Sequence, residues 1–193
     1  MAKSPRLGLA KRRLGAEIGD VAAIHFYRNC LTRTCLRLGT DPRWQTVLAI
    51  TPDCDVQKRH WPRNIPRMAQ GSGNLGQRMH RVFARLPRGE VLIIGSDIPA
   101  IEPHHIAHAF HLLGCSDAVY GPATDGGYWL VGLKRMPATP NAFAKVRWSG
   151  PHALADTLAN LDGRKIALAA TLSDVDEAKT YRAWRNTAGR LVA

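Results

Sequence analysis

The residues of this chain best suited to chemistry are carboxylates and cations set in small-residue turns. Asp97 closes the run Val91-Leu92-Ile93-Ile94-Gly95-Ser96-Asp97-Ile98-Pro99. An apolar, largely β-branched segment running into Gly and Ser has the pattern of a buried strand that delivers one acid to its C-terminal end. In open α/β sheets that edge is where ligands bind. Asp125 stands before Gly126 and Gly127 in Gly121-Pro122-Ala123-Thr124-Asp125-Gly126-Gly127-Tyr128-Trp129, which follows the next expected strand along the same edge. A plain hairpin turn would also explain Asp-Gly; the expected position beside Asp97 favours function. Asp174 and Asp176 sit two apart, so in an extended segment they point the same way and could bind one cation with Asp97.

Cations gather in two glycine-containing loops. The segment Lys3-Ser4-Pro5-Arg6-Leu7-Gly8-Leu9-Ala10-Lys11-Arg12-Arg13-Leu14 can wrap phosphates through backbone N–H groups and charge, or form a solvated basic arm. It lacks the spacing of a P-loop. The second loop, Gln70-Gly71-Ser72-Gly73-Asn74-Leu75-Gly76-Gln77-Arg78-Met79, leads into an amphipathic pattern through Val82, Phe83 and Leu86. A helix N-terminus is a natural place for an anion, and Arg78 would add charge there; a plain surface loop is the alternative.

The elements that must position these groups alternate between strand and helix. Residues 17–38 carry apolar side chains at helical spacing, with Gly39 as the stop. Strands are expected at 46–50 and at 65–68, the latter at an edge because of Pro66. Asp53 and Asp55 fit a cap and turn and stay outside the site. Residues 102–113 form a helix, 117–121 and 128–133 strands, 151–161 a helix capped by Ser149 or Gly150, and 165–169 a last strand before a terminal helix. His104, His108 and His111 share a helix face and could ligate a metal. No carboxylate or Cys converges on them, so an exposed polar stripe is the better account.

Size and composition narrow the classes. A chain of 193 residues, 45% hydrophobic and 22% charged, suits one soluble domain over residues 1–193. Its 27 Lys and Arg against 15 Asp and Glu give a net charge of +12, which favours anionic partners. The cations are scattered and no aromatic ladder lies between them, so nucleic acid is disfavoured. Cys30, Cys35, Cys54 and Cys115 lack metal-finger spacing and suit buried free thiols in a reducing compartment. With no membrane-spanning apolar run and no secretory signal, a cytoplasmic protein is expected.

Six motifs fall in order along the chain: Lys3-x-Pro5-x-x-Gly8-x-x-Lys11-x-Arg13-Leu14, Gln70-Gly-x-Gly73-x-Leu75-Gly76-x-Arg78-Met79, Gly95-Ser96-Asp97-x-Pro99, Gly121-Pro122-Ala123-x-Asp125-Gly126-Gly127-Tyr128, Trp148-Ser149 and Asp174-Val175-Asp176. Together they resemble the radical-SAM/selenodomain-associated transferase type-1 family, a GT-A-like family in the nucleotide-diphospho-sugar transferase superfamily. The resemblance implies a Rossmann-like three-layer α/β sandwich with a mostly parallel central sheet. It also implies a nucleotide site at the strand C-termini and a divalent Mg²⁺ or Mn²⁺ on the Asp97-type carboxylate and the Asp-Val-Asp segment. Arg12 stands where the family has Thr, and Asn74 where it usually has Asp. The first strand of such folds normally precedes Lys3-x-Pro5. Either the true start lies upstream of Met1 or an interior strand is missing, and unpaired interior ladders favour the upstream start.

The expected activity is a metal-dependent nucleotidyl- or glycosyltransferase acting on a nucleoside triphosphate or nucleotide-sugar and a small acceptor. Asp97 and Asp125 are the catalytic candidates, and Asp97, Asp174 and Asp176 the metal ligands. Lys3, Gly8, Lys11, Arg13, Gly73 and Arg78 would bind the phosphates; Gly126, Gly127, Tyr128, Trp148 and Ser149 would bind substrate. A non-catalytic module that kept the nucleotide pocket is the first rival, and a nucleic-acid binder the second.

Overall fold

The computed structural model describes residues 1–135 and 138–190. Its strands are β1 (Ala2–Lys3), β2 (Leu48–Thr51), β3 (Arg67–Ala69), β4 (Gly89–Ile94), β5 (Ala118–Pro122), β6 (Tyr128–Arg135) and β7 (Ile166–Leu168). Its helices are α1 (Arg12–Ile18), α2 (Asp20–Gly39), α3 (Leu75–Arg85), α4 (Pro103–Gly114), α5 (Ala153–Ala159) and α6 (Ala178–Arg190), with a single 3₁₀ turn at Asp53–Asp55.

The strands form a parallel sheet in the order β1-β2-β3 and a mixed sheet in the order β4-β6-β5-β7. In the mixed sheet β6 runs antiparallel to both β4 and β5, while β5 and β7 are parallel. The expected α/β fold with a mainly parallel arrangement is therefore present, with β6 as the one reversed strand. In place of the expected first strand the chain forms a two-residue β1, paired with Ile50 and Thr51 of β2. The amino group of Met1 donates to the Ile94 carbonyl at 2.6 Å, so β1 bridges the two sheets.

Period-two alternation assigns the faces of the mixed sheet. Ala118, Tyr120, Val131 and Leu133 pack with Met79, Val82 and Phe83 of α3 and with Leu161. Val119 and Leu130 face the other way, onto Ile106, Ala109 and Leu113 of α4. The parallel sheet is covered by Leu31 and Cys35 of α2, with Trp61 and Ile65 closing the cluster. A further cluster joins Leu14 to Ala23, Phe26 and Cys30 of α2 and to Val175, with Tyr181 and Trp184 of α6 against it.

Two boundaries differ from expectation, and so does the burial of two cysteines. The first helix is two: α1 starts at Arg12, and Gly19, at φ 90°, separates it from α2. That backbone conformation lies outside the helical region and suits Gly. The helix placed at 151–161 is the shorter α5 with His152 as N-cap, because Ser149 itself adopts a left-handed φ of 64°. Of the cysteines, Cys30 and Cys35 are buried, while Cys54 and Cys115 are exposed.

Candidate active site

Asp97 follows directly from β4. Gly95 N–H donates to the Trp129 carbonyl at 2.9 Å, holding the turn against β6. Ser96 Oγ lies 3.0 Å from the Tyr27 hydroxyl, which also accepts from Lys3 N–H at 3.0 Å and donates to its carbonyl at 3.1 Å. Tyr27 of α2 thus ties the ends of β1 and β4 together, and its burial raises the phenol pKa to about 12.

The segment after β7 brings in the other two carboxylates. Ala169 N–H donates to the Tyr120 carbonyl, Leu172 N–H to Pro122, and Val175 N–H to the Asp97 carbonyl itself. Val175 is buried among residues of α1 and α2, so its extended neighbours Asp174 and Asp176 present their carboxylates on the opposite side. One oxygen from each of Asp97, Asp174 and Asp176 lies within 4.8 Å of the others. An all-oxygen set of this kind suits a hard divalent cation such as Mg²⁺ or Mn²⁺.

Lys11 enters the cluster from the other half of the molecule. Its Nζ donates to Asp97 Oδ2 at 2.8 Å and to Asp176 Oδ1, with its own side chain only 4% exposed. Burial lowers the lysine pKa, but the charges of Asp97 and Asp176 more than offset this, and the net shift is upward. Asp174 is pushed up to about 6, first by burial and then by the charges of Asp176 and Asp97.

These groups line one cavity of about 710 Å³. Lys3, Arg13 and Arg78 line it, together with Arg12, Thr51 and Gln70. Gln70 is a buried connector whose side-chain amide donates to the Ala2 and Ala49 carbonyls. Arg12 was legible in the Lys11-Arg12-Arg13 run, whereas nothing in the sequence marked Thr51 or the Tyr27–Ser96 pair. Gly8 and Gly73 are not among the lining residues. The α3 N-terminus is closed by its own capping box: Asn74 Oδ1 accepts from Gln77 N–H, and Gln77 Oε1 from Asn74 N–H. Among the described residues, the α4 histidines form no metal-holding cluster.

The remaining wall is built by the β5–β6 turn and the loop before α5. Asp125, Gly127, Tyr128, Trp148 and Ser149 line the cavity. Gly127 N–H donates to Asp125 Oδ1 at 2.9 Å, so the hairpin turn is present and faces the cavity. Gly126, set back from the cavity, has φ +86°, and a Cβ there would meet the Pro151 carbonyl oxygen at 2.4 Å. Trp148 is flanked by the rings of Tyr128 and Phe143.

Residues 34–150 match the family DUF2064, described as an uncharacterized protein conserved in bacteria. The chain belongs to that family. A crystal structure of a protein from Desulfovibrio desulfuricans G20, provisionally described as a nucleotide-diphospho-sugar transferase, is 26% identical and gives a TM-score of 0.84. The match covers 91% of this chain and 80% of that one. Rv0371c from Mycobacterium tuberculosis H37Rv gives a TM-score of 0.57 at 14% identity, over 95% of this chain and 92% of that one, a likeness of fold alone. No curated protein matches the sequence. This member of the family has the nucleotide-diphospho-sugar transferase fold, and among its described residues no helix is long and apolar enough to cross a membrane.

Proposed function

We propose that the chain is a metal-dependent transferase that moves a nucleotidyl or glycosyl group from a nucleoside triphosphate or nucleotide-sugar to a small acceptor in the cytoplasm. The observation that carries this reading is the meeting, in one cavity, of three carboxylates within 4.8 Å and a set of cations from the N-terminal loop and α3. The order of the six motifs supports placing the chain near the radical-SAM/selenodomain-associated type-1 transferases.

Asp97, Asp174 and Asp176 are the residues that would hold Mg²⁺ or Mn²⁺. Such an ion would supply positive charge against the negative charge that builds on the departing diphosphate or pyrophosphate. Lys3, Lys11 and Arg13, with Arg12 and Arg78, neutralise the rest of the phosphate charge, and Gly8 lets their loop turn at φ 69°. On the opposite wall Asp125 is the carboxylate on the acceptor side, held by its own turn. Tyr128, Trp148 and Ser149 offer ring and hydroxyl contacts to a sugar or acceptor. Direct in-line attack by the acceptor needs no protein nucleophile.

The test is thermal melting of the protein against ATP, GTP, CTP, UTP and a panel of sugar nucleotides, each with and without Mn²⁺ or Mg²⁺. A ligand at about 100 times its Kd stabilises the native state by about 2.7 kcal/mol. The expected result is a shift with one nucleotide class that requires metal and disappears in Asp97→Ala. No shift with any nucleotide under either metal would remove the nucleotide site. Product analysis then separates the chemistries, since pyrophosphate marks nucleotidyl transfer and a nucleoside diphosphate marks glycosyl transfer.

A further inference from the structure

The carboxylate cluster already contains a cation, and it is the protein's own. Lys11 Nζ sits 2.8 Å from Asp97 Oδ2 and hydrogen-bonds Asp176 Oδ1. A divalent ion held by the cluster would draw on two of the same carboxylates, Asp97 and Asp176. Two cations crowded onto one carboxylate set repel, and a low-dielectric, mostly buried position strengthens that repulsion. Electrostatics therefore sets the ammonium and a divalent ion in competition for Asp97 and Asp176.

The geometry gives the lysine somewhere else to go. Lys11 is the N-cap of α1, in a left-handed conformation at φ 54° and ψ 43°, and makes no side-chain cap bond. Its backbone is fixed by the loop–helix junction, where its carbonyl accepts from Gly15 N–H at 2.8 Å. The flexible four-carbon stem can swing without moving that junction. Arg12 and Arg13 follow in sequence and line the same cavity with Lys3, so the space into which the ammonium would turn is the one the phosphates would fill.

We propose that Lys11 is an exchangeable stand-in for the metal: its ammonium holds Asp97 and Asp176 together in the metal-free protein, yields them to an entering divalent cation, and turns to the phosphates. This inference rests on the assignment of the three aspartates as the metal site. It adds a coupling between the two ligands. Metal entry frees a cation for the nucleotide, and nucleotide binding draws that cation away from the carboxylates, so each ligand tightens the other, as linkage requires. The same exchange keeps the acidic cluster neutralised while the site is idle.

The experiment measures Mn²⁺ alone binding to the full chain, by the loss of free-ion paramagnetic resonance signal, in wild type, K11M, K11Q and D97N. K11M and K11Q should bind Mn²⁺ about tenfold more tightly than wild type, within the usual range of coupling between two ligands. K11Q keeps a hydrogen-bond donor and serves if K11M folds poorly. In wild-type protein, acetylation of Lys11 by acetic anhydride, followed by mass spectrometry, should be slow without metal and faster with saturating Mn²⁺. Mn²⁺ binding that is lost in D97N yet no tighter in either Lys11 variant, or Lys11 labelling that ignores Mn²⁺, overturns the exchange and leaves the metal site standing. Absence of any D97N-sensitive Mn²⁺ binding in wild type and variants overturns both.

Discussion

The two sheets that meet at the cavity contribute opposite charges and are built differently. The parallel sheet has strands of two, four and three residues, and the cations near it come from Lys3 at the end of β1, from Lys11 at the start of α1 and from the first turns of α1 and α3. The mixed sheet has an eight-residue β6 at its centre, flanked by β5, of which Ala118, Val119 and Tyr120 are fully buried. The carboxylates hang from this second sheet: Asp97 from the end of β4, Asp125 from the β5–β6 turn, and Asp174 and Asp176 from a segment bonded along β5. A small ion demands closely placed donor atoms, so on the proposed reading its ligands belong on the most closely packed part. A phosphate chain is large and multiply charged, and on the same reading long flexible cationic side chains would follow it.

That contrast can be attacked where it predicts the largest effect. Leu130 of β6 is fully buried between β4 and β5 and against α4. Leu130→Ala should cost about 2–5 kcal/mol in chemical denaturation, whereas Leu7→Ala in the cationic loop, where Leu7 is 61% exposed, should stay within about 0.5 kcal/mol. Equal losses at the two sites would erase the distinction.

A smaller effect is expected at Gly126. A left-handed backbone costs an L-residue about 1–2 kcal/mol, and the new methyl would press on the Pro151 backbone. Gly126→Ala should lower the melting temperature and displace the Trp148–Ser149 wall while leaving Mn²⁺ binding at Asp97 intact. Loss of Mn²⁺ affinity in this variant would show that the Trp148–Ser149 wall and the carboxylate cluster are one mechanical unit.

A last effect belongs to the cationic side and depends on pH. Asp55 is fully buried, with Arg6 and Lys58 as ion-pair partners. Burial raises its pKa, but hydrogen bonds from groups including Lys58 and Cys54 and the charge of Arg6 bring it down to about 2, from an ordinary value of 3.8. A depressed carboxylate stabilises the fold above its unfolded pKa, and the contribution fades as pH falls through the folded value. The gap in urea midpoint between wild type and Asp55→Asn should therefore be full at pH 5 and shrink toward pH 2. A gap that stays constant over that window would mean that Asp55 does not anchor the Arg6 loop through its charge.

Much of this arrangement was legible because it is local. The apolar run before Asp97 gave β4, and the two-residue spacing of Asp174 and Asp176 gave a shared direction, which the buried Val175 between them enforces. The break at Gly19 was hidden because apolar residues continue at helical spacing on both sides, from Leu14 and Ile18 to Ala23 and Phe26. The capping box at Asn74 and Gln77 was written in their spacing, yet the glycines before it suggested an anion site. The insertion of β6 between β4 and β5 depends on nonlocal pairing, which no local pattern encodes. Lys11 suggested phosphate from its neighbours alone; its contact with Asp97 spans 86 positions.

The bond between Lys11 and Asp176 spans 165 positions, and it sets an order of events at the ribosome. Lys11 and its loop emerge early, Asp97 midway, and Asp174 and Asp176 only after every strand of both sheets has been made. At roughly 5–20 residues per second, the wait for the last two carboxylates is on the order of ten seconds. The growing chain thus carries the cations of its cavity long before all three carboxylates of the cluster exist, and the sheets that hold the cluster are in place before it is complete.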